Sequence, residues 1–271
     1  MKSILTYFGD DAGLETRLQA ALDLARTNGG HLTGILVRPT MPFLGIDPYG
    51  GTSIPQSVFD AFFQMEAQAR SKVESKLAHE DVSWTDISAN DPVSASLIAH
   101  AALNDIIVLS RPCESGREIA PSHMIADVLT GAPIPVLLMP EGQIGFDPHG
   151  SAAVAWNGSF EAANALRSAL PLLRHASSVT LISIEEDKEH RFPQTTVSEY
   201  LSRHGITSDL VTQSPGSASV DDALLSAAAG RCNADYLVMG AFGHSRAREF
   251  WLGGVTRSLL KSAPLPIIFG R

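Results

Sequence analysis

The chain has 271 residues, of which 44% are hydrophobic and 18% charged, and it carries a formal net charge of −9. That balance fits well-buried globular domains, with length enough for two, and excludes a disordered chain. The acidity argues against a general nucleic-acid surface or an anchor on an anionic membrane. The two cysteines, Cys113 and Cys232, are not in a C-x-x-C pair and read as reduced thiols. The first residues are apolar only as far as Phe8 before Asp10 and Asp11, which is too short for a signal peptide, so the expected location is the cytoplasm.

In chain order, a strand at Ile4–Tyr7 comes first. A helix follows with the stripe Leu14, Leu18, Ala21, Leu22 and Ala25, and Asp10 or Asp11 is its expected cap. Residues Pro39 to Pro55 are rich in Pro and Gly and read as an irregular, inserted loop. Phe59, Phe62, Phe63 and Met65 stand on the next expected helix as core or inter-domain packing. The run Asn104–Ser110 and the run Ala132–Leu138 are apolar strands without alternation, as expected where helices cover both faces of a sheet. Glu141–Gly150 reads as a linker, with the joint at about residue 145.

The second half repeats the first. Asn104-Asp-Ile-Ile-Val-Leu-Ser110 matches Ala234-Asp-Tyr-Leu-Val-Met-Gly240, and Ala132-Pro-Ile-Pro matches Ala263-Pro-Leu-Pro. Strands are expected near 152–157, 178–184, 207–213, 235–240 and 265–269. Leu166, Ala169, Leu170 and Leu173 give a buried helical stripe, with Ser159 or Asn157 as its cap. Strands alternating with helices imply an α/β chain of two doubly wound parallel-sheet domains, residues 1–145 and 146–271. Ligands of such sheets sit beyond the carboxyl ends of the strands at the switch point. At that end of the second half stand Gly240 and Gly243, then Gly253, Gly254, Val255 and Thr256 opening a helix. Bare amides and a helix N-terminus suit a phosphate. The segment Gly243-His244-Ser245-Arg246 reads as a phosphate-side loop.

These pieces, above all Gly240-x2-Gly243-x9-Gly253 between such strands, resemble the universal stress protein family in its tandem, two-domain form. The resemblance implies a Rossmann-like, flavodoxin-like fold in each half, strand order 3-2-1-4-5, with the halves paired through their fifth strands as an internal pseudo-dimer. It also implies an adenine nucleotide, ATP foremost and possibly with Mg, in the C-terminal half. Its contacts would be Ala155, Asn157, Ile184, Gly240, Gly243, Gly253, Gly254, Val255 and Thr256. In the first half the three glycine positions hold Ser110, Cys113 and roughly Ser122, and Pro112 lacks an N–H. That phosphate loop is degenerate, and no equivalent nucleotide site is expected there. No P-loop and no G-x-S-x-G elbow occur, and His100, His175, His190 and His204 lack metal spacing. The expected role is sensing or signalling towards a protein partner, without catalytic residues or a metal centre. A homodimer remains open. The alternatives are a ligand-free interaction scaffold and an enzyme acting on a small anionic metabolite.

Overall fold

The computed structural model describes residues 1–37, 45–46, 52–53, 56–111, 122–185, 192–241 and 254–270. The first half runs β1 (Ser3–Tyr7), α1 (Leu14–Asn28), β2 (His31–Val37), β3 (Gly45–Ile46), β4 (Thr52–Ser53) and α2 (Gln56–Leu77). It continues with β5 (Ser83–Ala89), α3 (Val93–His100), β6 (Ile106–Ser110), α4 (Ser122–Gly131) and β7 (Val136–Met139). The second half runs β8 (Ser151–Ala155), α5 (Phe160–Leu173), β9 (Ser178–Ile184), α6 (Gln194–Arg203) and β10 (Asp209–Gln213). It ends with α7 (Val220–Leu225), β11 (Tyr236–Gly240), α8 (Gly254–Ser262) and β12 (Ile267–Gly270).

Ten strands form one sheet in the order β10-β9-β8-β11-β12-β7-β6-β1-β2-β5. Read within each half, that is the expected 3-2-1-4-5 order twice over. Pairing inside each half is parallel, and the halves join through one antiparallel ladder, Ile267↔Leu138, Ile268↔Leu137 and Phe269↔Val136. The fifth strands therefore cover each other's open edges. The inserted segment is not wholly irregular: Gly45–Ile46 and Thr52–Ser53 pair as a short antiparallel ladder.

Alternate strand residues feed two layers of core. Ile4, Tyr236, Val238 and Ile268 face α1, α2, α5 and α6, whereas Leu5, Leu237, Met239 and Phe269 face α3, α4, α7 and α8. The central strands β6, β7 and β12 are buried along their whole length, which is why their sequences lack polar alternation. Leu166, Ala169, Leu170 and Leu173 of α5 are all buried. Each leucine so covered contributes about 1.5–3 kcal/mol relative to exposure. Ser159 caps α5 by accepting from the Ala162 N–H at 3.1 Å.

The two strand-one starts are clasped alike. Asp105, just before β6, accepts from the Lys2 and Ser3 amides. Asp235, just before β11, accepts from the Ser151 amide and hydroxyl at 2.7 and 2.9 Å. Burial opposes ionisation of Asp105, but the two amides prevail and hold its carboxyl below the usual range.

Two expectations need correction. Phe63 and Met65 are 64% and 55% exposed instead of packed, and the side chains of Phe59 and Phe62 lie outside the described residues. Among the described residues of α2, Val73 and Leu77 near its C-terminal end are buried in the core, with Ala69 packed against it. A helix of 22 residues is about 33 Å long, and the seven residues of β5 cover only about 23 Å of it. Nor does Asp10 or Asp11 occupy the N-cap of α1. Gly13 does, without a side-chain cap, while Asp10 pairs with Lys72 of α2.

Candidate functional site at the strand ends of the second half

The carboxyl ends of β8, β9 and β11 bring several predicted residues to one place. Ala155, half-buried, and Ile184, buried, both pack on the core layer shared with α8. Met239, Ala241 and Leu259 of α8 belong to the same layer. The main chain here is firmly held. The Trp156 N–H donates to Ile182 O at 2.7 Å, and the Ser183 hydroxyl donates to Trp156 O at 2.8 Å. The exposed Asn157 accepts from the Ser159 N–H through Oδ1 at 3.2 Å, and Gly158 follows with φ 69°. This predicted nucleotide contact is thus also the pin of a tight turn.

Helix α8 opens at Gly254, so the amides of its first turn have no partner within the helix. Thr256 is 5% exposed, with its side chain in the protein interior. The Ser219 hydroxyl at the N-cap of α7 donates to Asp222 Oδ2 at 2.7 Å, and the nearby hydroxyls of Ser219 and Ser258 hold the Asp221 carboxyl below the usual range. Gly243, His244, Gly253 and Cys113 lie outside the described residues, as does the side chain of Val255. Cys232 is free and half-buried, and burial pushes its thiol up. Among the described residues no group of three metal-ligating side chains occurs, and no helix is long and apolar enough to cross a membrane.

Gly240 takes on a different reason for being glycine. A Cβ there would stand 2.6 Å from the Ala162 nitrogen and the Glu161 carbonyl carbon at the start of α5. One at Gly270, its partner in the ladder, would stand 2.3 Å from Ala165 Cα. Helix α5 therefore rests directly on the backbone of β11 and β12. The Ala241 amide is likewise engaged, donating to Gly270 O at 2.8 Å. The other end of the glycine motif is the first turn of α8, whose amides have no partner within the helix.

The corresponding place in the first half is closed. Tyr7 ends β1 where Ala155 ends β8, and the Arg17 guanidinium lies 3.8 Å from the centre of its ring. Arg17 is 0% exposed. It donates from Nε to Tyr7 O at 2.8 Å, from Nη2 to Gly9 O at 2.8 Å and from Nη1 to Ser110 Oγ at 3.3 Å. It also forks onto Asp11 at 2.7 and 2.6 Å. The counterparts of Arg17 and Asp11 in the second half are Ala165 and Ser159, neither of which carries a charge. Gly13 makes room for this arrangement, since a Cβ there would meet Ser110 Oγ at 2.2 Å.

The sequence reading missed Arg17. The available signal was an arginine between Leu14 and Leu18, on the buried stripe of α1, where an unpaired cation would be very costly.

With this geometry the chain can be set beside solved structures. No protein-family model and no curated protein matches the sequence. A universal stress protein from Archaeoglobus fulgidus DSM 4304 superposes with a TM-score of 0.75 at 16% identity, over 99% of this chain and 97% of that one. The fold is that of the solved universal stress proteins. A putative universal stress protein from Pseudomonas aeruginosa UCBPP-PA14 gives 0.62 at 14% identity, over 99% and 92%. The cytoplasmic domain of a prokaryotic cation chloride cotransporter gives 0.50 at 11% identity, over 99% and 94%. The universal stress protein fold thus spans both halves of the chain, and at these identities the likeness is one of fold.

Proposed function

We propose that the chain is a tandem universal stress protein whose C-terminal half holds an adenine nucleotide, ATP foremost, and acts in the cytoplasm as a sensor. One observation carries the reading. Where the first half fills its strand end with Tyr7 and the buried Arg17–Asp11 pair, the second half has a half-buried Ala155, with Ala165 and Ser159 in place of that pair. The residues present suit the ligand. Ala155 leaves a small surface for a nucleoside beside Ile184, and the first turn of α8 turns its amides and the positive end of its dipole toward an anion. The role of the chain is to bind and orient. The proposed role is recognition, with slow hydrolysis of ATP at most.

Isothermal titration with ATP, ADP and AMP, with and without magnesium, tests this. The expected result is one nucleotide per chain, lost in Ala155→Tyr while the variant keeps its fold. Binding of two nucleotides per chain, or undiminished binding in Ala155→Tyr, refutes the assignment.

A second reading, a ligand-free interaction scaffold, draws on the packing of Gly240 and the engaged Ala241 amide, which account for part of the glycine motif without a ligand. A folded protein that binds none of the three nucleotides selects it.

A further inference from the structure

A cavity of about 180 Å³ lies between α5 and α6, on the face of the sheet away from α8. Its floor is made by Trp156, Ala163, Leu166, Phe192 and Val197, and Arg167 stands at its rim. Two of these walls are held in place. The Trp156 indole N–H donates to Phe192 O at 2.8 Å, and Val197 is buried in the core. The apolar surface continues outward through Phe160, which is 54% exposed and packs edge-on against Phe192 at 5.7 Å between ring centres. A pocket with a fixed aromatic wall and an apolar floor differs from the loose gap between two surface helices.

Arg167 supplies the second element. It is exposed and makes no ion pair among the described residues, whereas Arg17, Arg26, Arg70 and Arg203 each have a carboxylate within reach. Arg167 both lines the pocket and is exposed, as suits a long side chain whose stem can cover an apolar tail and whose guanidinium can bond the head. The volume lies below the range of about 300–1,000 Å³ typical of drug-sized ligands, so the occupant is small.

We propose that this pocket binds a small monocarboxylate with a short apolar body, its chain on Trp156 and Leu166 and its carboxylate on Arg167. Trp156 lies between Ala155 and Asn157, so an occupant would press on the strand end from the face opposite α8. The assignment does not depend on nucleotide binding, and its test contains no nucleotide.

Isotope-labelled octanoate, followed by NMR against the purified full chain, is the probe. Saturable binding is expected, with octanol binding more weakly because it lacks the charge. Arg167→Gln should weaken octanoate by about tenfold, the scale of one charge-assisted hydrogen bond. Ala163→Leu, which puts a larger side chain into the pocket, should abolish binding of both probes. Because Arg167 is exposed, Arg167→Gln keeps the test decisive even if Ala163→Leu fails to fold. Non-saturable binding, equal affinity for octanol, or octanoate binding unchanged in Arg167→Gln overturns the proposal.

Discussion

The two halves solve one contact in opposite ways. In each, the helix after the first strand crosses the carboxyl ends of strands one and four. The second half brings the helix down onto bare backbone at Gly240 and Gly270. The first half holds a buried guanidinium there, satisfied by Asp11, two carbonyls and Ser110. The glycine has changed sides, since Gly13 on the helix faces Ser110 in the first half and Gly240 on the strand faces Glu161 in the second. The lesson is that a duplicated fold can keep its topology while one copy fills a strand end with an internal ion pair.

The strongest way to break this comparison is Arg17→Met. It leaves the Asp11 carboxylate without its cation, and Asp11 is only 8% exposed. The expected loss is about 3–5 kcal/mol, since removing one partner of a buried pair strands the other. Chemical denaturation measures it, and a loss below about 1 kcal/mol would show that the pair is solvated.

Gly240→Ala sharpens the other side. Its methyl would meet backbone of α5, which cannot rotate away, so about 1–3 kcal/mol should be lost. If Gly240 matters only for a ligand, the melting temperature of the free protein will not move.

The smallest effect concerns a feature the halves share. Asp105 has a folded pKa below its unfolded value, so its stabilisation is present above the ordinary carboxylate range and is lost as pH falls through that range. Solvent screening keeps it below about 1 kcal/mol. Asp105→Asn should therefore lower stability slightly at neutral pH and converge with the parent in acid. A difference that persists at low pH would contradict the role of the carboxylate.

Much of this architecture was legible in the residues. The repeat of Asn104–Ser110 in Ala234–Gly240, together with unalternated apolar strands, pointed to two parallel sheets of one order. The stripe on α5 and its Ser159 cap follow from helical geometry alone. Phe63 and Met65 went astray because periodicity says which side of a helix is apolar and nothing about how far the sheet beneath extends. At the site, the small residues at the second-half strand ends could be read directly. The first-half loop was read as degenerate from Ser110, Cys113 and Pro112, of which the last two lie outside the described residues, and Tyr7 and Arg17 join Ser110 there without having been read. That contact spans α1, β1 and β6, and a pairing between residues 93 positions apart leaves no local pattern. Gly240 was assigned to a ligand because backbone freedom and close packing leave the same letter in the sequence.

The antiparallel seam between β7 and β12 has a directional consequence. Strands of the first half finish on one long rim of the plate, and those of the second half finish on the other. The Arg17 end and the Ala155 end thus look away from each other. β1 starts and β12 finishes on the Ala155 rim, so a reporter placed after Gly270 would sit across the sheet from the Arg17 end.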